Sequence, residues 1–167
     1  MYSPIPELNQ LKDFYDRVGH VGFSDGFEFY DYGSNAGLDT WSPDPEFVSR
    51  FIPFAQSTGS GSSYALWRCD DRTDLATLPV IMVGDEGELY VVARNLLELF
   101  QVLTIDSEFH DPDLVEDHSF AHEDYLTWLD QNFGLGPPED LEAFWAEMKE
   151  VRDQFRTWRS QYVDLDD

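Results

Sequence analysis

The stretch LPVIMVGDEGELYVVARNLLELF, residues 78–100, decides the fold. Leu78 to Val83 is a continuous apolar run of the kind that fills the middle of a sheet. Gly84-Asp85-Glu86-Gly87 is a hairpin turn, and Leu89 to Ala93 is a strand that pairs back on the first. At Asn95 the pattern becomes helical. Asn95 is a cap, Glu98 three residues on supplies a capping box, and Leu96, Leu97, Leu99, Phe100 and Leu103 form a buried stripe.

Upstream, Phe51 to Ala55 is a further strand, with Pro53 pushing it towards an edge or a bulge. A Gly/Ser turn over Ser57 to Ser63 leads to another strand, Tyr64 to Cys69. Gly26 to Tyr32 alternates, with Phe27 and Phe29 on one side and Glu28 and Tyr30 on the other, as a half-buried strand does. Asp39 to Pro45 reads as a loop. The chain starts with a helix over residues 6–18: Pro6 suits its first turn, Leu8, Leu11, Phe14, Tyr15 and Val18 recur at helical spacing, and Gly19 stops it. Downstream, a helix spans Glu123 to Phe133 and ends at Gly134. After Pro137-Pro138 a longer one runs from Glu139 to Tyr162, with Leu141, Phe144, Met148, Val151, Phe155 and Trp158 among its apolar face.

Strands followed by helices predict an α+β fold: a mostly antiparallel central sheet over residues 26–93, helices over 95–162 packed on one face, and one domain across 1–167. Leu66, Val80, Met82, Val91, Leu99, Phe144 and Met148 are the expected core. The last helix covers the sheet or, alternatively, pairs two chains.

Composition bounds the function. The 167 residues are 42% hydrophobic and 16% aromatic, so an intrinsically disordered acidic tail is excluded. Ten Lys plus Arg against 34 Asp plus Glu leave a net charge of −24. Such a field repels nucleic-acid backbones and anionic membranes and favours basic partners. The N-terminal ten residues lack the apolar run of a signal peptide, and no stretch is long and apolar enough to span a bilayer. Cys69 is the single cysteine, which removes an internal disulfide and points to a reducing cytoplasm.

Enzyme signatures are missing. Gly59-Ser60-Gly61 has Tyr64 where a third glycine belongs, lacks a following Gly-Lys-Ser/Thr, and precedes a strand rather than a helix. Ser60 is not in a Gly-x-Ser-x-Gly elbow, and Cys69 precedes Asp70 and Asp71, whose charge raises a thiol pKa. His110, His118 and His122 lie among carboxylates. His118 and His122 are four apart, with Asp113 or Asp117 as a further ligand, but no His-Glu-x-x-His joins them. An acidic surface loop in which histidines help neutralise carboxylates is the better account of the three, and the expectation is no catalytic residue, no cofactor and no metal, with a His110/His118/His122 hydrolase site as the alternative.

The better candidates for a binding surface are aromatics beside carboxylates. Tyr30, Asp31, Tyr32, Asp39 and Trp41 share a loop-rich stretch, and the turn acids Asp70, Asp71, Asp85 and Glu86 are secondary. Aromatic side chains anchor interfaces and carboxylates meet Arg or Lys on a partner. The same aromatics could simply cover the edge of the core.

Several of these elements resemble the SUKH superfamily, which includes the yeast Smi/Knr cell-wall regulators and many bacterial immunity proteins. The resemblance rests on Phe51-Ile52-Pro53-Phe54-Ala55, Gly59-Ser60-Gly61, Tyr64-Ala65-Leu66-Trp67 with Asp70-Asp71, Leu78-Pro79-Val80, the turn from Gly84 to Gly87, and Val92-Ala93 with Asn95-Leu96, Glu98 and Leu99. It covers about Phe51 to Leu103. It implies a SUKH-like α+β fold, no enzymatic activity, and cytoplasmic binding of a protein partner such as a basic nuclease toxin. A −24 domain suits a basic cleft on independent grounds. The alternatives are a metal-dependent hydrolase and a housekeeping interaction protein.

Overall fold

A computed structural model describes residues 1–57, 61–84, 87–107 and 110–164, apart from the side chain of His20. Helix α1 (Pro6–Val18) comes first and ends at Gly19, whose φ of +65° suits glycine. Strand β1 (Glu28–Phe29) follows, then the short helix α2 (Pro45–Ser49), capped by the Asp44 carboxylate on the N–H of Glu46. Four strands come next: β2 (Phe51–Gln56), β3 (Ser63–Trp67), β4 (Val80–Val83) and β5 (Leu89–Ala93). Helices α3 (Leu96–Leu103), α4 (His122–Phe133), α5 (Leu141–Ala146) and α6 (Lys149–Arg159) complete the chain.

The fold is α+β. The five strands form one antiparallel sheet in the order β1-β2-β3-β4-β5, so each strand lies beside its neighbours in sequence. Pro53 sits at an irregularity in the β2–β3 register, and its missing N–H explains why a bulge falls there although β2 is an interior strand. The connection from β2 to β3 is closed by the Ser57 N–H donating to the Ser62 carbonyl at 2.7 Å. In the β4–β5 hairpin the Gly84 N–H donates to the Glu88 carbonyl at 2.7 Å.

The expectation of helices on one face is corrected. Alternate strand residues feed two separate cores. Ile52, Phe54, Tyr64, Leu66, Val80, Met82 and Val92 pack with Leu8 and Leu11 of α1, Leu99 and Phe100 of α3, and Tyr125 and Leu129 of α4. Phe51, Ala65, Trp67, Ile81, Val83, Leu89 and Val91 pack on the opposite side with Phe47 of α2 and Phe155 of α6. The physical reason was present in the run Val80–Val83: all four residues are buried, which a strand tolerates only if both its faces are covered.

The long C-terminal helix is also corrected. It is broken at Glu147–Met148 into α5 and α6. Met148, with Phe144 and Trp145 against it, belongs to the first core, while Val151, Phe155 and Trp158 belong to the second. A straight helix cannot serve both faces, so the break carries the chain around the β5 edge. The aromatic face of α6 is used inside the fold: Phe155 meets Trp67 edge-on at 5.0 Å between centroids and Phe51 at 6.2 Å. Arg159, buried, donates to the Leu89 carbonyl.

Six of the seven expected core residues are buried, and Phe144 is half-buried against the same core. Leu97 is exposed, because it lies on the far side of α3 from Leu96, Leu99 and Phe100. Asn95 caps α3 as expected, accepting from the Glu98 N–H at 2.8 Å. The Glu98 carboxylate, however, takes the Arg94 N–H at 3.0 Å and the Arg94 guanidinium rather than closing a box on Asn95. Among the described residues no helix is long and apolar enough to cross a membrane.

Candidate functional site

The residues expected to form a binding loop do not share one surface. Tyr32 is half-buried against the first core and meets Tyr2 at 6.0 Å between centroids, and the Tyr2 hydroxyl donates to the carbonyls of Tyr30 and Phe54, each at 2.7 Å. Tyr30 is half-buried, and burial raises its phenol pKa. Trp41 packs on the second core instead, near Leu38 and Phe47. Asp31 and Asp39 are exposed. The segment from Tyr30 to Trp41 therefore wraps the β1 edge and distributes its aromatics to two faces.

The turn acids are partly neutralised. The Asp70 carboxylate accepts from the Arg72 guanidinium at 2.6 and 2.7 Å, which holds its pKa down at about 2. Asp71 lies 4.0 Å from Arg50. Arg50 and Arg68 are joined through their backbones at the same end of the sheet, so basic side chains share that corner with the acids. Asp85 and Glu86 lie outside the described residues. The Cys69 thiol pKa is raised, as expected, but burial is the principal cause and the charge of Asp70 a lesser one, opposed by Arg72.

The three histidines separate into two environments. His110 is buried and turns into the first core, where its Nε2 lies 3.0 Å from the Tyr64 hydroxyl and the two rings meet edge-on. Burial pushes its pKa down to about 4, so the ring is neutral at physiological pH. His118 and His122 stay together, their rings parallel within 3° and 3.9 Å apart. The carboxylate beside them is Asp106, not Asp113 or Asp117. Its Oδ2 lies 3.2 Å from Nδ1 of His118 and 3.6 Å from Nδ1 of His122. Burial is the main cause that lowers the His122 pKa, with the adjacent His118 second.

Asp106 is held by its surroundings. It follows α3 in a left-handed conformation, φ +61°, a region that aspartate tolerates better than most residues. Its Oδ1 accepts the Asp25 N–H at 2.6 Å and the Ser119 hydroxyl at 2.5 Å, and its Oδ2 accepts the Ser119 N–H at 2.5 Å. One fully buried carboxylate thus ties the segment after α1 to the segment before α4. In the sequence Asp106 is one of many acids around these histidines. Nothing in its local spacing marks it, because its contacts with Asp25, His118 and Ser119 are all distant in sequence.

Residues 110–113 line a cleft of about 700 Å³ against β5, α5 and α6. Tyr90, Val91, Val92, Leu141 and Trp145 provide apolar walls, and Asp111, Asp113 and Glu142 bring carboxylates to it, with Arg152 as a cation. Tyr90 is 43% exposed although it sits within a strand. The Asp111 carboxylate also caps the short turn that follows, accepting the Asp113 N–H at 2.9 Å. A groove of about 850 Å³ along α6 is larger, but it is lined by solvent-facing helix residues such as Glu150, Gln154 and Thr157. The cleft, by contrast, converges two aromatics and three carboxylates from separate segments.

The cleft offers what a cationic side chain needs, an aromatic surface and acceptors within a concave site. Comparison with known proteins finds no matching family model, no matching curated protein and no matching solved structure.

Proposed function

We propose that this chain is a non-enzymatic acidic binding module that receives a basic protein segment, and that it serves as a bacterial immunity protein of the SUKH type against a basic toxin such as a nuclease. The observation that carries the reading is the β5 cleft, where Tyr90 and Trp145 stand among Asp111, Asp113 and Glu142 on a chain of net charge −24. Long-range charge speeds encounter with a cationic partner, and a desolvated aromatic prolongs the complex. The resemblance of residues 51–103 to SUKH proteins supports the immunity role. His110 faces Tyr64, so the hydrolase alternative would have to rest on His118 and His122 with Asp106 in its place. A housekeeping interaction protein would use the same cleft for a different basic partner.

The test starts from the adjacent reading frame. The immunity reading expects a large toxin gene immediately upstream, whose basic C-terminal domain forms a one-to-one complex with this chain. The complex should block the toxin's activity and lose affinity in the Asp111→Asn, Asp113→Asn, Glu142→Gln triple variant. A metabolic operon at that position, or a toxin domain that this chain neither binds nor inhibits, contradicts the reading.

A further inference from the structure

We infer that Asp106, His118 and His122 form a binding site for one divalent transition-metal ion of the zinc class, with the remaining position open to solvent beside His118. The three offer ligand atoms that all lie within 4.8 Å of one another. Around a tetrahedral zinc with bonds of about 2.0–2.2 Å, donor atoms stand about 3.4 Å apart. The Asp106 Oδ2 to His118 Nδ1 and His122 Nδ1 distances are 3.2 and 3.6 Å.

A second, independent feature points to a ligand. His122 is 6% exposed, and its buried Nδ1 has no hydrogen-bond partner. Buried polar atoms are nearly always satisfied, so a buried ring nitrogen that faces a carboxylate 3.6 Å away, beyond hydrogen-bond reach, requires an explanation. A plain ion pair between His118 and Asp106 leaves that nitrogen unsatisfied. A metal ion between the three groups satisfies it.

The supporting shell is already in place. The Asp25 N–H and the Ser119 hydroxyl and N–H fix the Asp106 carboxylate, as outer hydrogen bonds do for metal-binding carboxylates. His118 is the adjustable ligand. An ion lies in the plane of each ring that binds it, so one ring must leave the parallel stack. His118, with 54% of its side chain exposed, is free to swing while the buried His122 stays. Two nitrogens and one carboxylate suit zinc, cobalt or nickel. Calcium and magnesium prefer all-oxygen shells.

The ion would act as a clip. It would join the end of α3 to the start of α4; Asp111 and Asp113, which lie between them in the chain, line the β5 cleft. The site does not depend on what occupies that cleft.

The experiment is zinc binding to the metal-stripped full chain, measured by titration calorimetry in excess calcium so that surface carboxylates are occupied. One equivalent of zinc should bind and raise the melting temperature, and cobalt should give the intense visible bands of a tetrahedral site. His118→Ala removes an exposed side chain and leaves the fold intact. It should weaken zinc at least about a hundredfold, the upper end of what loss of a supporting group costs. His122→Ala should do the same, with circular dichroism reporting that it folds. No zinc uptake, several equivalents without a change in melting temperature, or one equivalent retained by His118→Ala at wild-type affinity would overturn the site.

Discussion

Nε2 of His110 and the hydroxyl of Tyr64 lie 3.0 Å apart inside the first core, joining the loop after α3 to the middle of β3. The pairing makes the fold sensitive to acid. In the folded chain His110 stays neutral down to about pH 4, whereas in the unfolded chain it takes up a proton near 6.5. Between those values the unfolded state binds more protons, so the His110 contribution is lost as pH falls through that window. The loss amounts to about 3 kcal/mol at its lower end. The excess of carboxylates acts in the opposite direction, since their protonation relieves self-repulsion. The measurement is therefore a difference: urea unfolding of wild type and of His110→Asn, which tolerates the positive φ of +56°, from pH 7 to 4. The variant should lose less stability than wild type over that range. Parallel pH profiles would contradict the assignment.

Phe155→Ala tests whether α6 is part of the fold or a pairing helix. Its ring is buried between Trp67 and Phe51, so truncation should cost about 3–5 kcal/mol by thermal or urea unfolding. The size of the assembly in solution should not change. A variant of unchanged stability that alters oligomeric state would restore the dimer-helix alternative.

Gly84→Ala tests the β4–β5 hairpin. A Cβ at Gly84 would lie 2.9 Å from the Glu88 backbone oxygen and equally close to the Glu88 Cβ, besides meeting the Glu88 carboxylate. The same backbone oxygen accepts the Gly84 N–H, so it cannot move away without breaking the closing bond. A cost of about 1–3 kcal/mol in unfolding free energy is expected from such crowding. A neutral substitution would show that the turn relaxes freely.

Much of this architecture was legible from residue patterns. The β4–β5 hairpin, the Asn95 cap, the stop of α1 at Gly19 and the stop of α4 at Gly134 follow from local chemistry that needs no tertiary partner. The break between α5 and α6 was not legible. Phe144, Met148, Phe155 and Trp158 keep a helical spacing, and only the sheet between the two cores forces them apart. The Asp106 group was half legible: His118 and His122 show their relation in sequence, while Asp106 joins them through a loop. The cleft was not legible at all, because Tyr90 looks like any strand tyrosine until the loop over 110–113 and Trp145 rise beside it.

Trp41→Ala and Trp145→Ala separate structural from binding aromatics. Trp41 packs on the second core, and its removal should lower stability with little change in partner dissociation. Trp145 packs partly buried against the first core, so Trp145→Ala should lower stability too, but it should in addition speed dissociation, with an affinity loss of about 2 kcal/mol. Surface plasmon resonance with the basic partner, alongside thermal melts, reads both. Faster dissociation from Trp41→Ala alone would return the interface to the loop between Tyr30 and Trp41.

The proposed binding mode has the β5 cleft receiving a basic segment through charge and aromatic contact. It is tested by the association rate with the basic toxin domain that the proposal expects from the upstream reading frame, measured from low to physiological salt. Wild type, the Asp111→Asn, Asp113→Asn, Glu142→Gln cleft variant and an Asp31→Asn, Asp39→Asn loop variant should be compared. Screening over a Debye length of about 8 Å should slow wild-type association strongly, with dissociation changing much less. The cleft variant should associate more slowly and dissociate faster at every salt concentration, while the loop variant stays close to wild type. Association that ignores salt, or a loss of binding confined to the loop variant, would contradict the account.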